Sequence, residues 1–294
     1  MLIVFGSVNL DLAFALPRLP LPGETVLGPH AVLGPGGKGA NQACAAARDG
    51  AQVAMAGAVG RDALAGAALA GLRAAGVDLA RVAELDATTG CAAVCTDEQG
   101  RNLIAVGAGA NLLARADQVE DALLGPGALL LCQMECDPAE TAALIGRARG
   151  RGARTVLNLA PAFPLDPAAL RALSLLLVNE HEAAWLAGQL GGAADAAGLR
   201  RALGDVDVVR TLGERGAEWS AAEGEGSLPS RPVQAVDTAG AGDCFAGVLA
   251  AALDRGAPLA HAIARANAAA ALSCTRPGTQ ASLPDAAEID VALA

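Results

Sequence analysis

The chain has 294 residues, enough for one large α/β domain or two ordinary ones, and 53% of them are hydrophobic, with only 2% aromatic and no Tyr. A core must therefore be built from Leu, Val and Ala, and holding a ring-shaped ligand between aromatic side chains is nearly excluded. A formal net charge of -10 excludes a broadly basic nucleic-acid face or attachment to an anionic membrane, so any phosphate has to be met by local features.

Along the chain, apolar runs of strand length alternate with longer stretches of helical period. LIVFGSV at 2–8 precedes NQACAAARDG at 41–50, and VAMAGAVG at 53–60 precedes DALAGAALAGLRAAG at 62–76. LLLCQME at 129–135 precedes PAETAALIGRARG at 138–150. TVLNLA, LLLVN and DVVRTLG predict further buried strands, and two Ala-rich helices are predicted around 243–254 and 258–272. Strands apolar on both faces and alternating with helices predict an α/β fold with a mostly parallel sheet covered on both sides. Two stretches break the rhythm. Residues 11–34 are rich in Pro and Gly, and in residues 87–108 CAAVCT and RNLIAV flank DEQG as in a hairpin. Both are read as strands outside the main sheet, forming one small insertion that folds over a single domain spanning 1–294.

The seven Cys are odd in number and contain no C-x-x-C pair, which fits reduced thiols acting as small buried hydrophobes in a cytosol. No charged-then-apolar segment opens the chain and no apolar run reaches about 18 residues, so a cytoplasmic protein is expected. HEAAW at 181–185 has Trp185 where a zinc motif needs its second His, and the chain holds only three His, which disfavours a zinc hydrolase.

The chemistry-bearing residues follow strands. Asn9 and Asp11 in GSVNLD lie past the first strand, and Glu135 ends another; ligands of open parallel sheets bind beyond those ends. Carboxylates and amides converging on one crevice suit a ligand with several hydroxyls, although each alone is an ordinary polar strand end. GPGGKGAN at 34–41 formally contains the dinucleotide fingerprint through Gly34, Gly36 and Gly39. It follows no strand end with an acid about 20 residues on, and Lys38 is not followed by Ser or Thr, so neither a nicotinamide site nor a P-loop is supported. What it offers is close backbone approach, one Lys and Asn41 at a helix start, or simply a tight turn. NEHE at 179–182 offers an acid able to hold Mg²⁺ through water, and TLGERG at 211–216 offers backbone N–H groups and Arg215 for phosphates. VDTAGAGD at 236–243 places Asp243 at the mouth of an apolar helix, where unpaired N–H groups and the helix dipole already make an anion site. Asp243 there is either a helix-capping acid or a second, functional carboxylate.

GSVNLD, PLPGET, GGKGANQA, GAVGRDALAG, VGAGAN, QME, NEHE, TLGERG and DTAGAGD, in this order over nearly the whole chain, resemble the PfkB family of carbohydrate kinases. The resemblance implies a three-layer αβα sandwich with a small β-sheet lid, ATP as phosphoryl donor, and D-ribose phosphorylated at O5. It implies a sugar site of Asn9, Asp11, Gly37, Lys38, Gly39, Asn41 and Glu135, and an ATP site of Asn179, Thr211, Gly213, Arg215, Gly216, Gly242 and Asn267. Asp243 is implied as the base that takes the hydroxyl proton, with Gly240, Ala241 and Gly242 supplying amides to the transferring phosphoryl group. Glu182 is implied near Mg²⁺, and Asp237, Ala239, Ser273, Arg276, Gly278 and Ser282 around an activating K⁺, several through backbone carbonyls. A homodimer through the lid is also implied. 2-Deoxyribose, fructose or a nucleoside stay open as acceptors, a non-catalytic sugar-binding regulator stays open on the same fold, and an oxidoreductase on Gly34–Gly39 is the third reading.

Overall fold

A computed structural model of the chain describes residues 1–204 and 206–294. Its strands are β1 (Leu2–Phe5), β2 (Asn9–Leu16), β3 (Ala31–Gly36), β4 (Val53–Gly60), β5 (Asp78–Leu85), β6 (Gly90–Asp97) and β7 (Asn102–Gly107), followed by β8 (Leu129–Cys132), β9 (Arg154–Asn158), β10 (Leu175–Asn179), β11 (Asp207–Thr211), β12 (Ala217–Ala221) and β13 (Gly224–Leu228). The helices are α1 (Lys38–Arg48), α2 (Ala65–Ala68), α3 (Ala70–Ala74), α4 (Pro138–Gly150), α5 (Pro167–Arg171), α6 (Glu180–Leu190), α7 (Ala196–Leu203), α8 (Ala241–Asp254), α9 (Leu259–Ser273) and α10 (Ala286–Leu293).

Nine strands form one sheet in the order β13-β12-β11-β10-β9-β8-β1-β4-β5, parallel from β11 through to β5, with an antiparallel pair β12–β13 at one edge. Period-two alternation splits each central strand between two cores. Leu2 and Val4 of β1, with Leu129 and Leu131 of β8, face a layer containing α1, α8 and α9. Ile3 and Phe5, with Leu130 and Cys132, face the layer of α4, α5, α6 and α7. Because both faces are covered, these strands read as continuous apolar runs, which made them legible in sequence. The α/β sandwich with a mostly parallel sheet is thus the observed fold.

A second sheet, of order β3-β2-β6-β7, pairs β2 with β6 in parallel and β6 with β7 around the DEQG turn, with Thr96 opposite Asn102. It is built from parts of the two stretches that broke the sequence rhythm. Three differences from the sequence reading have local causes. The predicted helix over 62–76 begins only at Ala65, because Asp62 Oδ1 accepts from Leu64 N at 3.0 Å and Ala65 N at 3.1 Å, and it is broken at Leu69 into α2 and α3. β5 alternates polar and half-buried residues at the sheet edge, and in the short strands β12 (AEWSA) and β13 (GEGSL) Glu and Ser interrupt the sequence, so none of the three gave an apolar run. The last two predicted helices are present, with α8 beginning at Ala241 and α9 running from Leu259 to Ser273.

The order of the large sheet reverses at β1. From there β4 and β5 run one way and β8 to β11 the other, which opens a crevice beyond the carboxyl ends of β1 and β8. Among the described residues no helix is long and apolar enough to cross a membrane.

Candidate active site

Helix α1 starts in that crevice. Gly37 precedes it with φ 88, and a side chain there would meet Asn9 N at 2.7 Å and Ser7 O at 2.9 Å, so only glycine fits both the backbone angle and the space. Gly39 packs on the turn after β1, where a Cβ would lie 2.6 Å from Gly6 C and from Ser7 N. Close packing of α1 on that turn thus requires glycine at this position, one of those expected in the sugar site. No side chain of the Gly37 N-cap satisfies the helix. Instead Glu135, just past β8, accepts from Lys38 N at 3.1 Å and from the Ser7 hydroxyl at 2.5 Å.

Asn9 is buried at the start of β2, and its Oδ1 accepts from Asn111 Nδ2 at 2.7 Å. The Asp11 carboxylate lies over Gly36, where a Cβ would come within 2.1 Å of Oδ2. Burial first, then the charges of Glu135 and Asp243, push Asp11 up to about 6, with Lys38 opposing. The Lys38 ammonium is held above its ordinary value chiefly by Asp243, against burial, with Glu135, Glu182 and Asp11 adding to the attraction. Lys38 therefore lies among four acids from four separate segments: Asp11 and Glu135, expected in the sugar site, Asp243, expected as the base, and Glu182, expected near Mg²⁺.

Asp243 lies in the first turn of α8, and only 7% of it is exposed. It does not cap its own helix. Gly240 is the N-cap, in the left-handed region at φ 75, and no side chain caps α8. The carboxylate reaches instead across to α1, where Oδ2 accepts from Asn41 Nδ2 at 3.0 Å and Oδ1 from Gln42 Nε2 at 2.9 Å. The helix-capping reading of Asp243 thus gives way to an inter-helix one. The amides at this mouth are unequal. Ala239 N donates to Asp237 Oδ1 at 2.9 Å and Ala241 N to Thr238 O at 3.3 Å. Among the described residues Gly240 N and Gly242 N donate to nothing in the protein, and a Cβ on Gly242 would meet open space. The amides of Gly240 and Gly242 are thus left free at this mouth, whereas those of Ala239 and Ala241 are engaged within the protein.

Asn179 ends β10 and caps α6 reciprocally with Glu182: its Oδ1 accepts from Glu182 N at 2.9 Å, and its own N donates to Glu182 Oε2 at 2.7 Å. Glu182 is buried and raised above the ordinary carboxylate value by that burial, while Asn179 N and Lys38 pull it down. Thr211 pairs with Asn179 across β10 and β11, which brings NEHE and TLGERG side by side. Gly213 and Gly216 both have positive φ, and Gly216 is packed against Leu228 O, so this loop's shape depends on them. Arg215 forms an exposed ion pair with Glu180, which holds its charge at the surface of the loop. Asn267 in α9 is buried, and its Nδ2 has no partner within the protein. An unpaired buried amide is costly, and a ligand atom would satisfy it.

Asp237 joins the two segments proposed for a monovalent cation: its Oδ1 holds Ala239 N, and its Oδ2 holds Gly278 N at 2.9 Å. Ser273 Oγ donates to Ala270 O at 2.8 Å and Ser282 Oγ to Thr279 O at 3.0 Å, while Arg276 pairs with Glu288. The Arg276 side chain is thus engaged away from the loop, whereas each serine hydroxyl, while donating its hydrogen, keeps oxygen lone pairs that could join backbone carbonyls around a cation. Among the described residues no three His, Cys, Asp or Glu side chains converge as a metal cluster, so a divalent ion near Glu182 would draw its oxygens mainly from phosphates and water. The donor set fits that arrangement.

Ser7, Gln42, Asn111, Gln133 and Gln280 belong to the same assembly and were not singled out in the sequence. Four of them stand inside motifs already noted, in GSVNLD, GGKGANQA, VGAGAN and QME. A groove of about 490 Å³ between α4 and α5 is lined largely by alanines, and its one acid, Asp166, caps α5 by accepting from Ala168 N at 2.7 Å. It holds none of the chemistry described above.

A carboxylate at a glycine-lined helix mouth, facing amides, a lysine and a crevice of polar groups, defines a phosphotransferase acting on an alcohol. The pfkB family carbohydrate kinase model matches residues 1–286. Ribokinase of Bacillus subtilis is 37% identical over 295 residues, covering 98% of this chain and 97% of that protein, and ribokinase of Mus musculus is 35% identical over 303 residues, covering 99% and 94%. The structure of Arabidopsis thaliana ribokinase complexed with ribose and ATP superposes with TM-score 0.89 at 28% identity, covering 99% of this chain and 98% of that one. The chain belongs to the pfkB family of carbohydrate kinases.

Proposed function

We propose that this protein transfers the γ-phosphoryl group of ATP to O5 of D-ribose, giving ribose 5-phosphate and ADP. The observation that carries the reading is Asp243, whose two oxygens are fixed by amides of α1 at the mouth of α8, beside Lys38 and the crevice of Asn9, Asp11, Asn41 and Glu135. As the O5–P bond forms and the bond from Pγ to the β,γ-bridging oxygen breaks, the hydroxyl proton passes to an Asp243 oxygen. A carboxylate is a weak base towards an alcohol, but in a loose transition state the proton leaves late and positioning supplies most of the catalysis. Gly240 and Gly242 amides face the charge spreading over the phosphoryl oxygens. Mg²⁺ bound with the nucleotide, near Glu182, would neutralise phosphate charge. Asn179, Thr211, Gly213, Arg215, Gly216 and Asn267 form the nucleotide side, and the unpartnered Asn267 Nδ2 supports that assignment.

The test is sugar-dependent ADP formation over a panel of D-ribose, 2-deoxyribose, fructose and a nucleoside. Ribose giving the highest kcat/KM is the expected result, and no sugar-dependent ADP release would reject the reading. The same assay run in K⁺ and in Na⁺-only buffer tests the loop of Asp237, Ala239, Ser273, Arg276, Gly278 and Ser282. Activity several-fold higher in K⁺ is expected, and equal activity would remove the cation from this loop.

Because free-enzyme ionisations govern kcat/KM, Asp11 predicts an acid limb. Below about 6 its carboxyl holds a proton and loses acceptor capacity, so kcat/KM for the sugar falls as pH falls through that value. Asp11→Asn should lower kcat/KM and flatten this limb; a limb of the same midpoint in the variant would assign it elsewhere.

We read residues 1–294 as one working domain in which the four-stranded sheet covers the sugar and excludes water that would otherwise hydrolyse ATP. Val32, Leu33, Leu103, Ile104 and Val106 on this sheet are exposed, and apolar surface of that kind suits a second copy of the chain. Ile104→Asp is then expected to shift a dimer to monomer in light scattering, and an unchanged mass would exclude this face. Seven free cysteines fit work in the reducing cytoplasm.

A further inference from the structure

Behind Asp243 lies a set of buried amides, of which Asn41 alone also belongs to the sugar crevice described above. Gln42 Oε1 accepts from Gln133 Nε2 at 2.7 Å, and Asn41 Oδ1 accepts from Gln280 Nε2 at 2.9 Å. Gln42 and Gln133 are completely buried, and Asn41 and Gln280 are only 5% exposed. The direction of every bond follows from one end. An ionised carboxylate only accepts, so Asn41 and Gln42 must turn their NH₂ groups to Asp243 and their carbonyls away. Those carbonyls then require NH₂ groups from Gln280 and Gln133. At the far end of one branch the Cys44 thiol donates to Gln280 Oε1 at 3.5 Å, and burial pushes that thiol up to about 12, so it keeps its proton.

The other branch ends on an unsatisfied atom. Gln133 Oε1 is buried without a partner, lodged over Gly6, where a Cβ would come within 1.9 Å of it. Turning the Gln133 amide over would satisfy nothing at Gln42 and would set two carbonyls against each other. A buried acceptor left unpaired is a cost that the fold carries at this place.

We propose that Gln133 is a positioning residue: acting through Gln42, it fixes the direction of the amide that holds Asp243 Oδ1, so that this carboxylate stays an oriented acceptor for the sugar hydroxyl proton. Both branches turn NH₂ groups towards Asp243, which leaves the remaining lone pairs of Oδ1 and Oδ2 to meet the sugar hydroxyl. The inference rests on the reading of Asp243 as the base.

The test is Gln133→Glu, which keeps shape but, once ionised, can only accept. Gln42 must then turn its NH₂ towards residue 133 and present its carbonyl to Asp243. Turnover should fall about tenfold or more, with KM for ribose and ATP within about twofold, because positioning errors act on the chemical step. Lys38, Glu135, Glu182 and Asp11 surround Asp243 in both proteins, so the readout is the ratio of variant to wild-type kcat at each pH. That ratio should fall as pH rises from 6 to 9, since protonated Glu at 133 still donates and ionised Glu does not. A ratio near one throughout, or equal loss in kcat and gain in KM at every pH, overturns the proposal. Gln133→Met removes the donor without a charge, and a pH-independent kcat loss is expected. If the Glu variant gives no cooperative melt, this variant decides, and wild-type turnover in it refutes the relay. Asp243→Asn run alongside separates the two readings: turnover retained there rejects the base, whereas an inactive Asn variant with unaffected Gln133 variants rejects only the relay.

Discussion

Asp243→Asn is expected to lower kcat by about 10² to 10⁴, the range that a positioned general base contributes, while the dissociation constant for the sugar changes by less than about fivefold. The substitution is close to isosteric, and the helix mouth itself does not depend on the carboxylate, because Gly240 rather than Asp243 caps α8. What it removes is the capacity to take a proton. It also places an NH₂ group against one of two amide donors, Asn41 Nδ2 or Gln42 Nε2, so a modest loss of stability accompanies it. Steady-state ADP release with calorimetric sugar binding separates the effects. Wild-type turnover in the Asn variant would refute the assignment, and loss of sugar binding as large as the loss of kcat would move Asp243 from chemistry to recognition.

Much of this site was legible because its parts are local. A glycine with positive φ before α1, a carboxylate at the end of an apolar strand and a glycine-lined mouth at α8 each leave a short signature, and the parallel sheet collects strand ends on one side. The partners of those parts were not legible. Gln280 meets Asn41 across 239 positions, and Gln42 meets Asp243 across 201, so topology alone creates these contacts. Likewise the sequence presents Ala239 to Gly242 as equivalent amides, whereas Asp237 occupies one of them and Thr238 another. Arg215 reads as a phosphate cation, and only the structure places Glu180 against it. Strand β5 was missed for the opposite reason, as an edge strand whose exposed residues dilute the apolar signal.

The second large effect is expected in stability and comes from an acid that no motif contains. Asp49, at the C-terminal end of α1, has a completely buried side chain. Its carboxylate accepts from Arg255 Nη2 at 2.5 Å, and from Arg265 Nε at 2.8 Å and Nη2 at 2.5 Å, while its backbone carbonyl accepts from Arg255 Nη1 at 2.8 Å. Arg265 reaches on to Asp290 in α10 at 2.5 Å. One carboxylate thus ties together α1, the end of α8, α9 and α10, the layer that carries Asn41, Gln42 and Asp243. Asp49→Ala would leave the guanidinium of Arg265, itself only 11% exposed, with Asp290 as its remaining acid, and would leave Arg255, 40% exposed, to water. Removing one partner of a fully buried ion pair costs about 3 to 5 kcal/mol, and because Arg265 keeps Asp290 and Arg255 reaches water, the loss here is expected at the lower end of that range. Chemical denaturation should therefore show the midpoint falling sharply at unchanged slope. Glu24→Ala, which breaks the exposed pair with Arg18, is the control and should leave the midpoint where it is. If both variants melt like the parent, the Asp49 cluster is solvated in solution and contributes nothing to holding these helices; if only Asp49→Ala falls, KM and kcat measured well below its melting temperature will tell whether the tie also sets the register of α1 against α8.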